Sequence, residues 1–279
     1  MTAIVPPPGA ALAPREVLAR SGSSFLAGFV CLDAARRDGM TAIYAFCRVA
    51  DDAADEAPDV ATAAAHLRFW RDELLRAAAG GGDTPVGRAL AATMAAFGVE
   101  RAPLEALLDG IALDVEPAPF ADEPELRHYC DCVASAVGRA CLPVLGARGA
   151  AAVRYANALG QALQLTNILR DLREDAVAHR VYVPRTWLAE CAVEASWLGG
   201  DGPAAAYADG GPVAALRARL AAAAEAEFAA ARAALGELRA ADRRASCRPA
   251  SWGPSTGNCS RACGAAAGGS RPRARACRG

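Results

Sequence analysis

The chain has 279 residues, enough for one large domain or two small ones, and its net charge is close to zero. It is rich in hydrophobic residues, poor in aromatic ones, and every basic residue is Arg. The main body lacks a basic stripe, which argues against nucleic-acid binding. No long apolar run is free of charge, which argues against a membrane-spanning helix.

The first residues and the cysteines indicate in which cellular compartment the protein works. The start of the chain has no basic residue followed by a long apolar run, so we predict no signal peptide. Ten Cys in a chain of this length do not indicate a small disulfide-stapled scaffold, and free thiols in a reducing compartment fit better. We therefore expect a cytoplasmic protein.

The periodicity of the apolar residues predicts helices along most of the chain. Residues 1–14 are Pro-rich and are predicted to be loose, with helical patterning from about Pro14. Longer helices are predicted over residues 34–54, 60–79, 84–97, 102–114, 123–148, 149–176 and 213–241. Pro143 should kink or end the helix that contains it. Since no strand alternation appears, the sequence predicts one all-α domain over residues 15–241.

Two Asp-x-x-x-Asp pairs are the most informative local feature. Asp51 and Asp55 form the first pair, and Asp171 and Asp175 form the second. A spacing of four places both carboxylates on one helix face, at a cost of about 0.2–0.5 kcal/mol per pair unless a cation compensates. Mg²⁺ takes oxygen ligands of this kind and holds substrate phosphates through one or two carboxylates. Two such faces opposite each other would make a site for a diphosphate.

Each pair continues a polar stripe on an otherwise apolar helix. The stripes consist of Tyr44, Arg48, Asp51 and Asp55, and of Gln164, Asn167, Asp171 and Asp175. A helix that is apolar on most sides is buried, and a buried polar stripe must find partners. One acidic pair alone is ordinarily a solvated helix face. Two pairs in this setting favour an enclosed polar site.

Five motifs, in chain order, carry a family resemblance. They are Ser21-Gly-Ser-Ser24-Phe25, Tyr44-Ala-Phe-Cys-Arg48-x-x-Asp51-Asp52-x-x-Asp55, Tyr129-Cys-Asp-Cys-Val-Ala-Ser-Ala-Val-Gly138, Gln164-Leu-Thr-Asn167-Ile-Leu-Arg170-Asp171-x-x-Glu174-Asp175 and Arg180-Val-Tyr182-Val-Pro184. Together they resemble the squalene/phytoene synthase family over about residues 20–240. The wording Val-Ala-Ser-Ala-Val-Gly is most similar to the branch of bacterial presqualene diphosphate synthases in the hopanoid pathway.

The resemblance implies an all-α isoprenoid synthase bundle with a central cavity, and a prenyltransferase that joins two farnesyl diphosphates head to head. It implies Mg²⁺ held by Asp51, Asp55, Asn167, Asp171 and Asp175. Substrate contacts are implied for Ser21, Ser24, Phe25, Arg48, Gln164, Asn167 and Arg170. Tyr44 or Tyr129 would steer the proton whose loss closes a cyclopropane. Downstream squalene-pathway enzymes are implied partners, with loose peripheral contact at the inner face of the membrane, because the product pathway leads to a C30 lipid.

Two alternative functions stay open. Phytoene or full squalene synthesis lies within the same family. Squalene formation needs a reductant, and the chain has no Gly-rich dinucleotide loop, but relatives use NADPH without one. A catalytically disabled prenyl-binding homologue belongs to another class, although all four motif aspartates are present.

Departures from the family pattern concern three places. His179 stands where the family usually has Gly, and we expect that loop to sit differently. Ser21 is small where some relatives have a larger polar residue. The last helix of the family is not recognisable after about Arg244.

Residues 242–279 differ in composition from the rest of the chain. They hold eight Arg against one acid. We interpret the segment from about Ser246 as an out-of-frame reading of the family's last helix. Shifted back by one base, Ser251-Trp252-Gly253 can read Met-Gly, and Pro254–Cys259 can read Val-Tyr-Arg-Glu-Leu. The alternative is a genuine disordered basic tail.

Overall fold

The protein is helical throughout the part that the structure describes. This computed structural model describes residues 6–21, 28, 29 and 31–238. The first helices are α1 (Pro14–Arg20), α2 (Ala34–Asp55), α3 (Val60–Ala78), α4 (Pro85–Phe97), α5 (Ala102–Val115) and α6 (Glu123–Cys130). A π-helical turn, Asp131–Ser135, leads into α7 (Ala136–Leu145) and the long α8 (Ala150–Val177). Then follow α9 (Arg185–Glu190), a 3₁₀ turn (Ala195–Gly199), α10 (Ala204–Tyr207) and α11 (Pro212–Glu237).

Several helices start at a side chain that accepts a hydrogen bond from the first turn. Asp33 accepts from the amide of Arg36 at the start of α2, and Asp59 accepts from the amide of Thr62 at the start of α3. Thr84 does the same for α4, where a proline also occupies the first turn. Such caps satisfy amides that have no partner inside the helix, which fixes where each helix begins.

The π-helical turn is held between two helices by glycines. A Cβ added at Gly160 of α8 would lie 2.5 Å from Cα of Ser135, and one added at Gly110 of α5 would lie 2.6 Å from Cγ1 of Val133. The Ser135 hydroxyl donates to the carbonyl of Asn157 at 2.8 Å. The absence of side chains at these two positions therefore lets the turn pack directly against both helices.

The predicted all-α architecture is confirmed, with local differences. The predicted helix over 123–148 is interrupted by the π-helical turn and ends at Leu145, two residues after Pro143, as the proline predicts. Residues 185–207, for which no helix was predicted, contain two short helices and a 3₁₀ turn. The last described helix ends at Glu237, and the tail from residue 242 lies outside the described residues.

The apolar core has two main parts. One part packs α1 to α5 with α7 and includes Phe46 and Trp70, whose rings meet edge to face. The other packs α6 with α8 to α11 and includes Leu165 and Leu216. Beside the first part, α2, α7 and α8 surround an apolar cavity of about 210 Å³. None of the helices described has the length and apolarity that crossing a membrane requires.

Candidate active site

The first acidic pair lies at the C-terminal end of α2, on the same helix as Arg48. Arg48 Nε donates to Oδ2 of Asp52 at 3.0 Å, while its Nη1 is 3.7 Å from Oδ2 of Asp51. The arginine predicted to face a substrate therefore pairs chiefly with Asp52, the acid between the two predicted ligands.

Asp51 has a strongly perturbed carboxyl group. Half of its side chain is accessible to solvent, although many protein atoms lie around the carboxyl group. Burial is the largest cause that raises the pKa of Asp51, the Asp55 charge adds to it, and the result is a pKa of about 7. Two carboxylates on one face thus carry more negative charge than Arg48 offsets. This electrostatic excess fits a bound divalent cation.

Arg180 joins the two acidic motifs. Its Nη2 donates to Oδ1 of Asp55 at 3.0 Å, and its backbone amide donates to the carbonyl of Asp175 at 2.8 Å. Asp175 lines a narrow cleft together with Arg180 and Tyr182. Arg180 therefore links the ends of α2 and α8.

The second stripe follows the C-terminal half of α8. Arg170 forms a two-pronged ion pair with Asp171, with Nε 2.7 Å from Oδ1. The side-chain amide of Asn167 donates to Oε1 of Gln164 at 3.4 Å. All of these side chains keep part of their surface accessible.

A carboxylate that sequence reasoning missed lies beside this site. Asp114, near the end of α5, accepts hydrogen bonds from Tyr129 (2.9 Å) and Tyr182 (2.7 Å), whose rings stack at 5.2 Å. Burial raises the pKa of Asp114, partly opposed by the two phenol hydrogen bonds. Burial also raises the pKa of Tyr129 and of Tyr182, followed by the Asp114 charge. Both phenols therefore stay protonated and donate to one carboxylate.

The sequence contains a signal that could have identified Asp114. It follows Ile111 by three residues and continues the buried face formed by Leu104, Leu107 and Leu108 on α5. A carboxylate on an apolar stripe needs partners, by the same argument that singled out the two acidic pairs.

The two helices that carry the acidic pairs also line the apolar cavity. Tyr44 and Cys47 of α2 line it, as do Cys141 of α7 and Leu163 of α8. Burial raises the pKa of Cys47, and raises that of Cys141 to about 12, so both groups stay neutral thiols. The cavity wall therefore carries no charge from these groups.

Among the six cysteines in the described part of the chain, five are the expected free thiols and one is not. Cys47, Cys130, Cys132, Cys141 and Cys191 are free thiols. Cys31, in contrast, is disulfide-bonded.

The N-terminal motif is only partly described. Ser21 follows α1, and its hydroxyl donates to the carbonyl of Leu18 at 2.8 Å. Ser24 and Phe25, predicted to contact substrate, lie outside the described residues.

The oxygen atoms of the acidic pairs are suited to a metal ion that also binds the phosphates of a substrate. Among the described residues, no group of three or more His, Cys, Asp and Glu side chains could hold a metal ion. Mg²⁺, however, is ordinarily bound through one or two carboxylates together with substrate phosphates, and the acidic pairs supply hard oxygen ligands of that kind.

Comparison with known proteins agrees with this arrangement. Residues 18–272 match the squalene/phytoene synthase family. Presqualene diphosphate synthase of Rhodopseudomonas palustris is 39% identical over 176 residues, which cover 63% of this chain and 63% of that protein. Phytoene synthase of Rhodobacter capsulatus is 38% identical over 177 residues, 63% of this chain and 52% of that protein. The chain thus spans less than two thirds of the length of these relatives.

A solved structure shows the same fold. A dehydrosqualene synthase in complex with ligand superposes with a TM-score of 0.70 at 29% identity, covering 83% of this chain and 81% of that one. The fold is therefore that of the all-α isoprenoid synthases. With the match over residues 18–272, this chain belongs to the squalene/phytoene synthase family.

Proposed function

We propose that the chain is a prenyltransferase that joins two farnesyl diphosphates head to head to give presqualene diphosphate. The observation that carries the proposal is that Arg180 links two acidic helix faces and that the same two helices line an apolar cavity. A diphosphate with a long apolar chain needs both parts. The relatives named presqualene diphosphate synthase support the head-to-head reaction.

The acidic faces would bind the diphosphate groups. Asp51, Asp55, Asn167, Asp171 and Asp175 would hold Mg²⁺. When bound, Mg²⁺ supplies Lewis-acid neutralisation of charge on a departing diphosphate.

Three arginines are placed to contact the same diphosphates. Arg48, Arg170 and Arg180 each pair with a motif carboxylate. Guanidinium groups bind phosphate oxygens through charge-assisted hydrogen bonds, and we propose that these side chains turn toward the diphosphate when it binds.

The cavity would protect the allylic cation. Its wall is apolar and its thiols are neutral, so water that would quench a cation is kept out. The cation adds to the double bond of the second farnesyl chain, and loss of a proton closes the cyclopropane. Tyr44 lines this cavity, whereas the Tyr129 hydroxyl is bonded to Asp114. We therefore assign proton steering to Tyr44, and to Tyr129 a role in positioning Asp114 and Tyr182.

Phytoene synthase is the nearest alternative, because a relative of that name is almost equally identical. The test is incubation with farnesyl diphosphate and Mg²⁺, with and without NADPH, and in parallel with geranylgeranyl diphosphate. We expect a cyclopropylcarbinyl diphosphate that forms from farnesyl diphosphate without NADPH. A hydrocarbon that forms only with NADPH indicates squalene synthesis, and preferential C40 product indicates phytoene synthesis.

A non-catalytic prenyl-binding protein is the alternative from another class. It would bind farnesyl diphosphate but release it unchanged in the same incubation. We further propose that the product enters the squalene and hopanoid pathway through downstream enzymes. The protein would act in the cytoplasm with loose contact to the inner face of the membrane.

A further inference from the structure

The wall at the end of the cavity farthest from the aspartates is a helix terminus. The amide of Ala147 donates to the carbonyl of Leu142, and the amide of Gly146 donates to that of Pro143, both at 3.0 Å. Gly146 is left-handed, with φ of 74°. This is the Schellman arrangement, whose two outer residues also make an apolar contact. We call it the Leu142–Ala147 corner.

A second hollow lies directly behind this corner. It has a volume of about 540 Å³, is open to solvent, and is bordered by Glu100, Arg139 and Arg148. Leu142 and Ala147 line both this hollow and the apolar cavity. At the corner, one layer of side chains therefore separates the cavity from the space behind it.

The corner lies where the tail of a bound chain would end. Leu142 and Ala147 pack with Ala152, which is in the first turn of α8. Asp171 is on the same helix, about 28 Å further along the axis at 1.5 Å per residue. A prenyl chain whose diphosphate lies at the aspartates would extend along α8 toward Leu142.

We propose that Leu142 sets the maximum length of the prenyl chain that the cavity accepts. The inference rests on the proposed function and adds a specificity-determining residue to it. Truncating this side chain would join the cavity to the hollow behind it and give a longer chain a continuous path. The Schellman hydrogen bonds involve backbone atoms only, so the corner itself would persist.

The test measures binding with unreactive substrate analogues, the S-thiolodiphosphates of farnesol (C15) and geranylgeraniol (C20), by titration calorimetry in Mg²⁺. The wild-type protein should favour the C15 analogue. In Leu142→Ala the ratio of C20 to C15 affinity should rise by about tenfold or more, since a few methylenes in an apolar pocket have effects of this size. Leu145→Ala is the matched control. It widens the same cavity from the same helix but does not border the second hollow, and its ratio should stay as in wild type.

The outcomes separate this inference from the proposed function. An unchanged ratio in Leu142→Ala, or an equal rise in Leu145→Ala, overturns the role of Leu142 while wild-type C15 binding still supports the function. No binding of the C15 analogue to wild type overturns both. Circular dichroism checks folding. Should Leu142→Ala not fold, Leu142→Val, a smaller truncation, should shift the ratio in the same direction, and a ratio equal to wild type rejects the role.

Discussion

At the scale of single residues, the acidic pairs differ in how their charge is offset. Asp55 and Asp171 each have a guanidinium within hydrogen-bond distance, whereas Asp51 has Arg48 only at 3.7 Å. Asp51 is also the carboxylate whose pKa is raised to about 7. Of these three carboxylates, Asp51 is therefore the one whose negative charge the protein compensates least.

Substituting one carboxylate in each pair tests the metal assignment. Asp51→Asn and Asp171→Asn keep the side-chain volume and remove a charged ligand, so turnover should fall roughly a hundredfold or more. Asp38→Asn, an exposed carboxylate on α2 that pairs with Arg15, is the control and should retain turnover. Circular dichroism should show all three folded. Near-normal turnover of either site variant at saturating Mg²⁺ would contradict the assignment.

At the scale of secondary-structure elements, the backbone just after α8 places a non-glycine residue in the left-handed conformation. The amide of His179 donates to the carbonyl of Ala176, and that of Arg180 donates to Asp175. His179 has a φ of 60°, the left-handed conformation that glycine adopts most readily. The position that the family usually fills with Gly thus keeps a glycine-type backbone, and this orients Arg180 toward Asp55.

His179→Gly should therefore stabilise the protein by about 0.5–1 kcal/mol. The left-handed conformation costs a non-glycine residue about 1–2 kcal/mol, and glycine's greater freedom in the unfolded chain offsets part of this gain. Urea unfolding measures the difference. Ala192, with φ of 52°, ends α9 in the same way, and Ala192→Gly should show a similar gain without altering turnover. A loss of stability in His179→Gly would refute the strain argument.

The start of α4 depends on one buried carboxylate of α3. Glu73 is inaccessible to solvent and accepts from the amide and the hydroxyl of Thr84, each at 2.7 Å, and from Arg76 at 2.9 Å. Burial alone would raise the pKa of Glu73, but these donors together hold the pKa below its ordinary value. A Cβ at Gly87 would lie 1.9 Å from this carboxylate, which explains the glycine in the first turn of α4.

Glu73→Gln should lower the free energy of unfolding by about 1–3 kcal/mol at pH 7, because buried donors lose a charged acceptor. Because the pKa of Glu73 is lower in the folded state, its carboxylate stabilises the protein at pH values above the ordinary pKa of 4.5. This stabilisation is lost as the pH falls through the folded-state pKa. The deficit of the variant should therefore shrink below about pH 4.5 in urea titrations. Asp72→Asn, the exposed neighbour on α3, controls for loss of one charge. A deficit independent of pH would exclude the carboxylate's role.

At the scale of the whole molecule, the tail carries a separate prediction. If residues from about Ser246 are read out of frame, the coding DNA read one base back should spell an amphipathic segment beginning near Met-Gly. Correcting the frame should raise both thermal stability and turnover, because a helix of the family's cavity wall would be restored. A stop codon in the shifted frame, or no amphipathic pattern, would reject the interpretation.

Much of the fold and the site was predictable from the sequence, for reasons of periodicity. Long helices such as α2 and α8 repeat apolar residues at helical spacing over many turns, so their polar stripes stood out. Asp114 was missed because a single acidic residue has no second acid at helical spacing to draw attention to it. The short helices α9 and α10 were missed because six and four residues are too few to show a helical period, and packing against α8 and α11 decides their conformation.

The division of the core into two main clusters bears on how the protein moves. Each cluster buries its own large side chains, Trp70 in one and Trp187 in the other, and Met40 and Ile43 of the first line the cavity. Amide hydrogens should accordingly exchange with deuterated solvent in two cooperative units, each with its own opening free energy. A ligand that fills the cavity touches the first cluster, so it should slow exchange in that unit and widen the difference between the two opening free energies.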